Sequence, residues 1–191
     1  WLFCFLPPLP RCGYPRLRRM TTEHRTAPDS DPVTAEPRWL DQSQQRSWRA
    51  LLVGHTLLMA RLDDDLRRGF DLSLTEYEIL VRLSERDGRL RMAQLADAMA
   101  HSRSRVTHTV ARMERAGLVE RVSSPEDGRG ILASLTERGL DVLRQAAPMH
   151  VAGVREHLVD LADADDLAAV GRVMNVVADH LVAGHPEMDI R

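Results

Sequence analysis

Residues 92–136, MAQLADAMAHSRSRVTHTVARMERAGLVERVSSPEDGRGILASLT, change periodicity twice in one short stretch, and few folds accommodate that. Leu95 and Met99 stand four apart. Val106, Val110 and Met113 follow at i, i+4 and i+7, so each set is the buried stripe of a helix. Gly117 then suits the left-handed residue that closes a helix. Leu118-Val119-Glu120-Arg121-Val122 alternates at period two, Pro125 to Gly130 is rich in turn residues, and Ile131 to Leu135 returns as a second strand. The pattern predicts a short helix, a tight turn, a longer helix and a β-hairpin. That order is a winged helix-turn-helix.

The longer helix has a second face. Opposite its apolar stripe stand Ser104, Thr107, His108 and Ala111, flanked by Arg105 and Arg112, with no acid until Glu114. A helix that is apolar behind and short, polar and cationic in front suits a DNA major groove. Helix-turn-helix shapes also serve as plain packing units. Here the polar face, the basic flanks and an arginine at the hairpin tip fall in one segment, which favours nucleic acid.

The segment resembles the DNA-binding domain of the MarR family of transcription regulators. The shared pattern is Ser104-Arg105-Val106-Thr107, then Arg112-Met113-Glu114-Arg115-Ala116-Gly117-Leu118-Val119, then Asp127-Gly128-Arg129-Gly130, closing with Leu135-Thr136. The resemblance extends from about residue 41 to 184. Two positions depart from the usual pattern: His108 replaces a basic or polar base-contacting residue, and Gly128 replaces an arginine. Both bear on the operator sequence and leave the activity class unchanged. The resemblance implies a homodimer whose N- and C-terminal helices interleave. It also implies a phenolic or anionic small-molecule effector, bound between the dimer helices and the wing domain.

Charge is distributed in keeping with this. The chain of 191 residues has a net charge of −2, and all 26 of its basic residues are arginine. Residues 81–131 hold ten arginines against seven acids, whereas residues 132–191 hold five against ten. A basic middle and an acidic end fit a protein that turns one face to DNA. Both cysteines, Cys4 and Cys12, precede the folded body, which excludes a disulfide scaffold or a thiolate zinc site there. The apolar opening Trp1 to Pro10 is short, interrupted by proline and without a basic leader, so it predicts neither a signal peptide nor a membrane span. A cytoplasmic location is expected. Met20 opens a polar run that reads as a protein start, which would place residues 1–19 upstream of the true beginning. Residues 1–38 are expected to be a disordered extension.

The body, residues 39–186, divides by pattern. A long amphipathic helix over about 41–68 carries Trp48, Leu52, His55, Met59, Leu62 and Leu66 on one face, with Gly69 as its stop. Ser73 or Thr75 caps the next helix, and the winged unit spans about 73–136, with Arg89 to Arg91 as its first strand. Helices from Thr136 to about Leu161 and from Asp163 to near Gly184 complete a dimerisation region over 137–184. The expected class is mainly α (α+β). The outer helices are long and apolar on one face, and a second copy of the chain is the economical cover for them.

No catalytic constellation is present: the chain has no Gly-rich phosphate loop, nucleophile elbow or His-Glu-x-x-His. His101 and His108, like His150 and His157, are seven apart. That is about 10.5 Å of helical rise, too far to share an ion without a third element. No enzyme activity, cofactor or metal is expected. The aromatic residues beyond Tyr14 are Trp39, Trp48, Phe70 and Tyr77, and Trp48, His55 and Tyr77 are the candidate walls of an effector site.

The expected protein is a homodimeric, ligand-responsive repressor on a pseudo-palindromic duplex operator. Ser102 caps the recognition helix, about residues 102–116, while Ser104, Thr107 and His108 read base edges. Arg103, Arg105 and Arg112 hold phosphates, and Arg129 enters the adjacent minor groove with its guanidinium oriented by Asp127. The alternative is a winged-helix module that docks protein without sequence-specific DNA binding. Salt separates the two, since only DNA affinity falls steeply with ionic strength.

Overall fold

Asp41 begins the ordered helices with a capping box, its carboxylate accepting from the Gln44 amide while the Gln44 side chain accepts from Asp41. A computed structural model describes residues 37–124 and 130–181. The expected extension before residue 37, the wing-tip residues Asp127 and Arg129, and the end of the last helix lie outside the described residues.

Helix α1 runs from Gln42 to Phe70 and passes straight through Gly69. Its stop is Asp71, whose left-handed backbone (φ 53°) lets its amide reach the Arg67 and Leu66 carbonyls. Gly69 instead marks a close crossing, because a Cβ there would sit 3.0 Å from the Met149 sulfur. Ser73 caps α2, Leu74–Ser84, in a second capping box closed by Glu76. Three residues, Arg89–Arg91, form β1 and lead into α3, Met92–Ala98. The turn that follows puts Ala100 at φ 51°, a conformation strained for a residue with a Cβ.

Helix α4, Arg103–Arg115, is the longer helix of the pair. Gly117 then takes φ 72° and turns the chain into β2, Val119–Ser123. Strand β3, Ile131–Leu135, returns between its neighbours to give the antiparallel order β1-β3-β2. Arg121 pairs with Ala133, and Leu90 pairs with the same Ala133 from the other side.

Helix α5, Glu137–His157, is capped by Thr136. It ends four residues before the expected Leu161, and a 3₁₀ turn covers Val159–Leu161. Helix α6 is Ala164–Leu181, and the Asp163 carboxylate accepts from the Asp166 amide at its start. Among the described residues no helix is long and apolar enough to cross a membrane.

The core lies where the winged unit meets the outer helices. Leu66 and Leu72 come from α1 and the turn after it, Ile79, Leu80 and Leu83 from α2, and Leu95 from α3. Val106, Val110 and Met113 of α4 meet Val119 and Ala133 of the sheet, and Leu143 and Ala146 of α5 close the far side. Every residue of the α4 stripe read from its spacing is buried. The long stripe of α1 divides in two: Leu62 and Leu66 are buried, whereas Trp48 and Leu52 are almost half exposed (48% and 45%). Helix α6 buries no residue at all within the chain.

Candidate nucleic-acid interface

Burial of Val106, Thr109, Val110 and Met113 fixes the roll of α4, and everything on its opposite side is thereby turned outward. Ser102, Arg103, Ser104, Arg105, Thr107, His108 and Arg112 are all exposed. They form one convex strip along the helix. Ser102 is the N-cap, its Oγ accepting from the Arg105 amide at 3.3 Å and lying 3.2 Å from the Ser104 Oγ.

The hydroxyls are not equally available. Thr107 Oγ1 donates its hydrogen to the Arg103 carbonyl at 2.7 Å. What Thr107 can offer a base edge is therefore a methyl group and an acceptor lone pair, which suits a thymine methyl or an exocyclic amine. Thr109 makes the same kind of bond to the Arg105 carbonyl at 3.1 Å and faces inward.

The arginines also differ. Among the described residues, the guanidinium groups of Arg103 and Arg105 have no hydrogen-bond partner. Arg112 is held instead: its Nε donates to Glu76 Oε1 of α2 at 2.7 Å. Glu76 is 7% exposed, and its other oxygen accepts from the Ser73 hydroxyl (2.6 Å) and the Ser73 amide (2.9 Å). Burial pushes the Glu76 carboxyl up, but the hydrogen bonds from Arg112 and Ser73 outweigh it and hold it below the usual carboxylate range.

Behind the strip, direct contacts tie the frame together. At the far end of α4, Glu114 accepts from the backbone amide of Arg121 (3.1 Å) and pairs with its guanidinium (2.7 Å), fastening the helix to β2. Thr136 Oγ1 lies 2.8 Å from the Gly117 carbonyl oxygen and 3.0 Å from that of Leu118, while accepting from the Gly139 amide at 3.0 Å. Gly139 itself has no room for a side chain, since a Cβ would collide with the Leu118 carbonyl.

Beside the strip, a cavity of about 320 Å³ opens between β1, the start of α3, α4 and the base of the wing. Arg91, Met92, Ala93, Arg103, Thr107 and Ile131 line it. Arg91, whose Nη2 lies 3.3 Å from Ser124 Oγ, adds a cation that sequence reasoning treated only as strand. Glu76 was missed as well. The signal was the capping pair Ser73…Glu76: a buried capping carboxylate needs a partner for its second oxygen.

The effector candidates are not gathered in the single chain. Trp48 and His55 share a face of α1, seven residues apart, and both are exposed. Tyr77 is buried on α2, its ring 4.5 Å from that of His150 on α5. Among the described residues no three His, Cys, Asp or Glu side chains converge as metal ligands.

A three-stranded wing with a polar, arginine-flanked helix standing proud of it defines a winged helix-turn-helix DNA-binding protein. Residues 70–130 match the sequence model of the MarR family. AbsC, a MarR family transcriptional regulator from Streptomyces coelicolor, is 44% identical; the match covers 77% of this chain and 99% of AbsC, with a TM-score of 0.73. Sco3205 of the same organism, solved in complex with DNA, is 40% identical over 81% of this chain and 96% of its own, with a TM-score of 0.75. The regulator PecS of Dickeya dadantii is 27% identical over 66% of this chain and 77% of PecS. The chain belongs to the MarR family and is a DNA-binding transcription regulator.

Proposed function

We propose that the protein is a homodimeric, cytoplasmic repressor that binds a pseudo-palindromic operator and is released by a small phenolic or anionic effector. The uncovered apolar faces of the outer helices carry the dimer. On α1, Trp48, Leu51 and Leu52 are exposed; on α6, Val170, Val173, Met174 and Val177 are. Stripes of this extent are unusual on a monomer and ordinary at an interface between copies. The lobe over about 73–136 reads DNA, and the helices over about 41–68 and 137–184 join the copies.

Two recognition helices then enter successive major grooves, roughly 34–36 Å apart. Ser104, Thr107 and His108 meet base edges, Arg103, Arg105 and Arg112 meet phosphates, and Ser102 holds the helix start. Arg129, with Asp127, takes the minor groove. The effector is assigned to the uncovered side of α1, where Trp48 and His55 face the same way; Tyr77, buried against His150, would reach it only if the second copy or a rearrangement brought them together. It acts by shifting the spacing of the two helices, which a two-groove fit tolerates poorly. No catalytic step is assigned.

A titration of promoter DNA flanking the protein's own gene, read by gel shift at rising salt, tests this reading. Binding as a dimer with affinity falling steeply in log[salt] is the expected result. A salt-insensitive complex, or none with any duplex, would overturn it in favour of a protein-docking module.

A further inference from the structure

Glu76 does more than cap a helix. A capping box needs one carboxylate oxygen, and Oε2 fills that role by accepting from both the amide and the hydroxyl of Ser73. Its second oxygen reaches across to the recognition helix and takes the Arg112 Nε. The two residues are 36 apart in sequence, and the carboxylate is almost fully buried while the arginine side chain is 57% exposed. The guanidinium is thus held through its Nε, while the side chain as a whole stays exposed. Arg103 and Arg105, without partners among the described residues, must give up their side-chain freedom when they meet a phosphate. Arg112 has already done so.

The corner holding Glu76 is itself anchored to α1. Asp63 accepts from the Leu74 amide at 2.8 Å and pairs with Arg67. A run of polar contacts therefore joins the long helix, the start of α2 and the flank of α4. We propose that Glu76 is a positioning residue for DNA recognition: it presets Arg112 so that its guanidinium meets a backbone phosphate and sets the recognition helix in register. This rests on the DNA-binding reading above and adds to it a residue that touches no DNA.

The charges allow three behaviours to be told apart. Glu76→Gln keeps the side-chain shape and removes a negative charge. If Glu76 positions Arg112, operator affinity should fall about 5- to 20-fold while binding to nonspecific duplex holds or rises, because the flank is now more positive. If Glu76 only supports the fold, both affinities should fall together with the melting temperature. If it only neutralises Arg112, both should rise together. Either of the last two overturns the proposal.

The probes are a duplex selected from a random library by the wild-type protein, and poly(dI-dC). Arg112→Lys, at an exposed side chain, provides the second arm. It keeps the charge, lacks the Nε that bonds Glu76, and should reproduce the loss of discrimination. The double variant should lose no more than either single one. If Glu76→Gln does not fold, an Arg112→Lys protein that discriminates like wild type suffices to reject the idea. A wild-type protein that selects no sequence would reject the DNA-binding reading itself, and the inference with it.

Discussion

Thr107 commits its hydroxyl hydrogen to the backbone of its own helix, so a change there should be felt by DNA and hardly by the fold. Thr107→Ala is exposed on α4 and should alter stability by no more than about 0.5 kcal/mol. Discrimination between operator and unrelated duplex should drop by roughly 1–3 kcal/mol, the scale of one base contact. Competition binding checks it: equal discrimination by wild type and variant would remove Thr107 from the reading face. His150 supplies a prediction of a different kind. Its ring meets that of Tyr77 at a tilt, its Nδ1 is buried without a partner among the described residues, and burial pushes its pKa below the ordinary 6.5. The folded state therefore favours the neutral ring, and the unfolded chain takes up a proton first as pH falls. Stability should be unaffected by this group above about pH 6.5 and decline below it, until the folded form also protonates. Urea unfolding at pH 7.5 and 5.5 should show that decline in the wild type and a shallower one in His150→Phe.

At the scale of elements, short-range chemistry was legible and long-range partnership was not. Ser102, Thr136 and Gly117 could be placed from local sequence, and the cap of α2 narrowed to Ser73 or Thr75, because a cap or a left-handed turn depends on neighbours three or four residues away. The α4 stripe was equally clear, and it fixed which side chains face outward. The stop of α1 was misplaced: Gly69 seemed the natural terminator, yet its lack of a Cβ serves the crossing with Met149, and Asp71 takes the left-handed turn. Helix α5 carries Pro148 in its interior without breaking, and its end came earlier than the spacing suggested. Glu76 with Arg112, and Tyr77 with His150, pair residues far apart in the chain, and no periodicity announces such a meeting. Gly139 is another long-range case, with a local test. Gly139→Ala should destabilise by about 1–3 kcal/mol or more, since the obstacle is the Leu118 backbone and not a side chain that can swing away. Thermal unfolding that matched wild type would show that the start of α5 can lift from β2 at little cost.

For the molecule as a whole, the apolar residues left uncovered by one copy make a quantitative demand. Removing residues 163–191 deletes α6 with Val170, Val173 and Val177, so the truncated chain should sediment as a monomer or aggregate and bind operator poorly. Operator binding equal to the full chain would refute dimerisation through this helix. The full chain should also melt at a temperature that rises with protein concentration, because association and folding are then linked. The sequence carried the apolar periods of these helices, but a period states that a face must be covered without saying by what.

The close approach of Gly139 to Leu118 has a consequence for how such a regulator can be switched. Thr136 and Gly139 weld the root of the wing to α5, and Glu114 rivets the recognition helix to β2. The recognition helix, the described root of the wing and the start of α5 are thus joined to one another by direct contacts. In the proposed dimer the quantity left to adjust is the gap between two such units, so operators that differ by a single base pair of spacing should be bound with clearly different affinities.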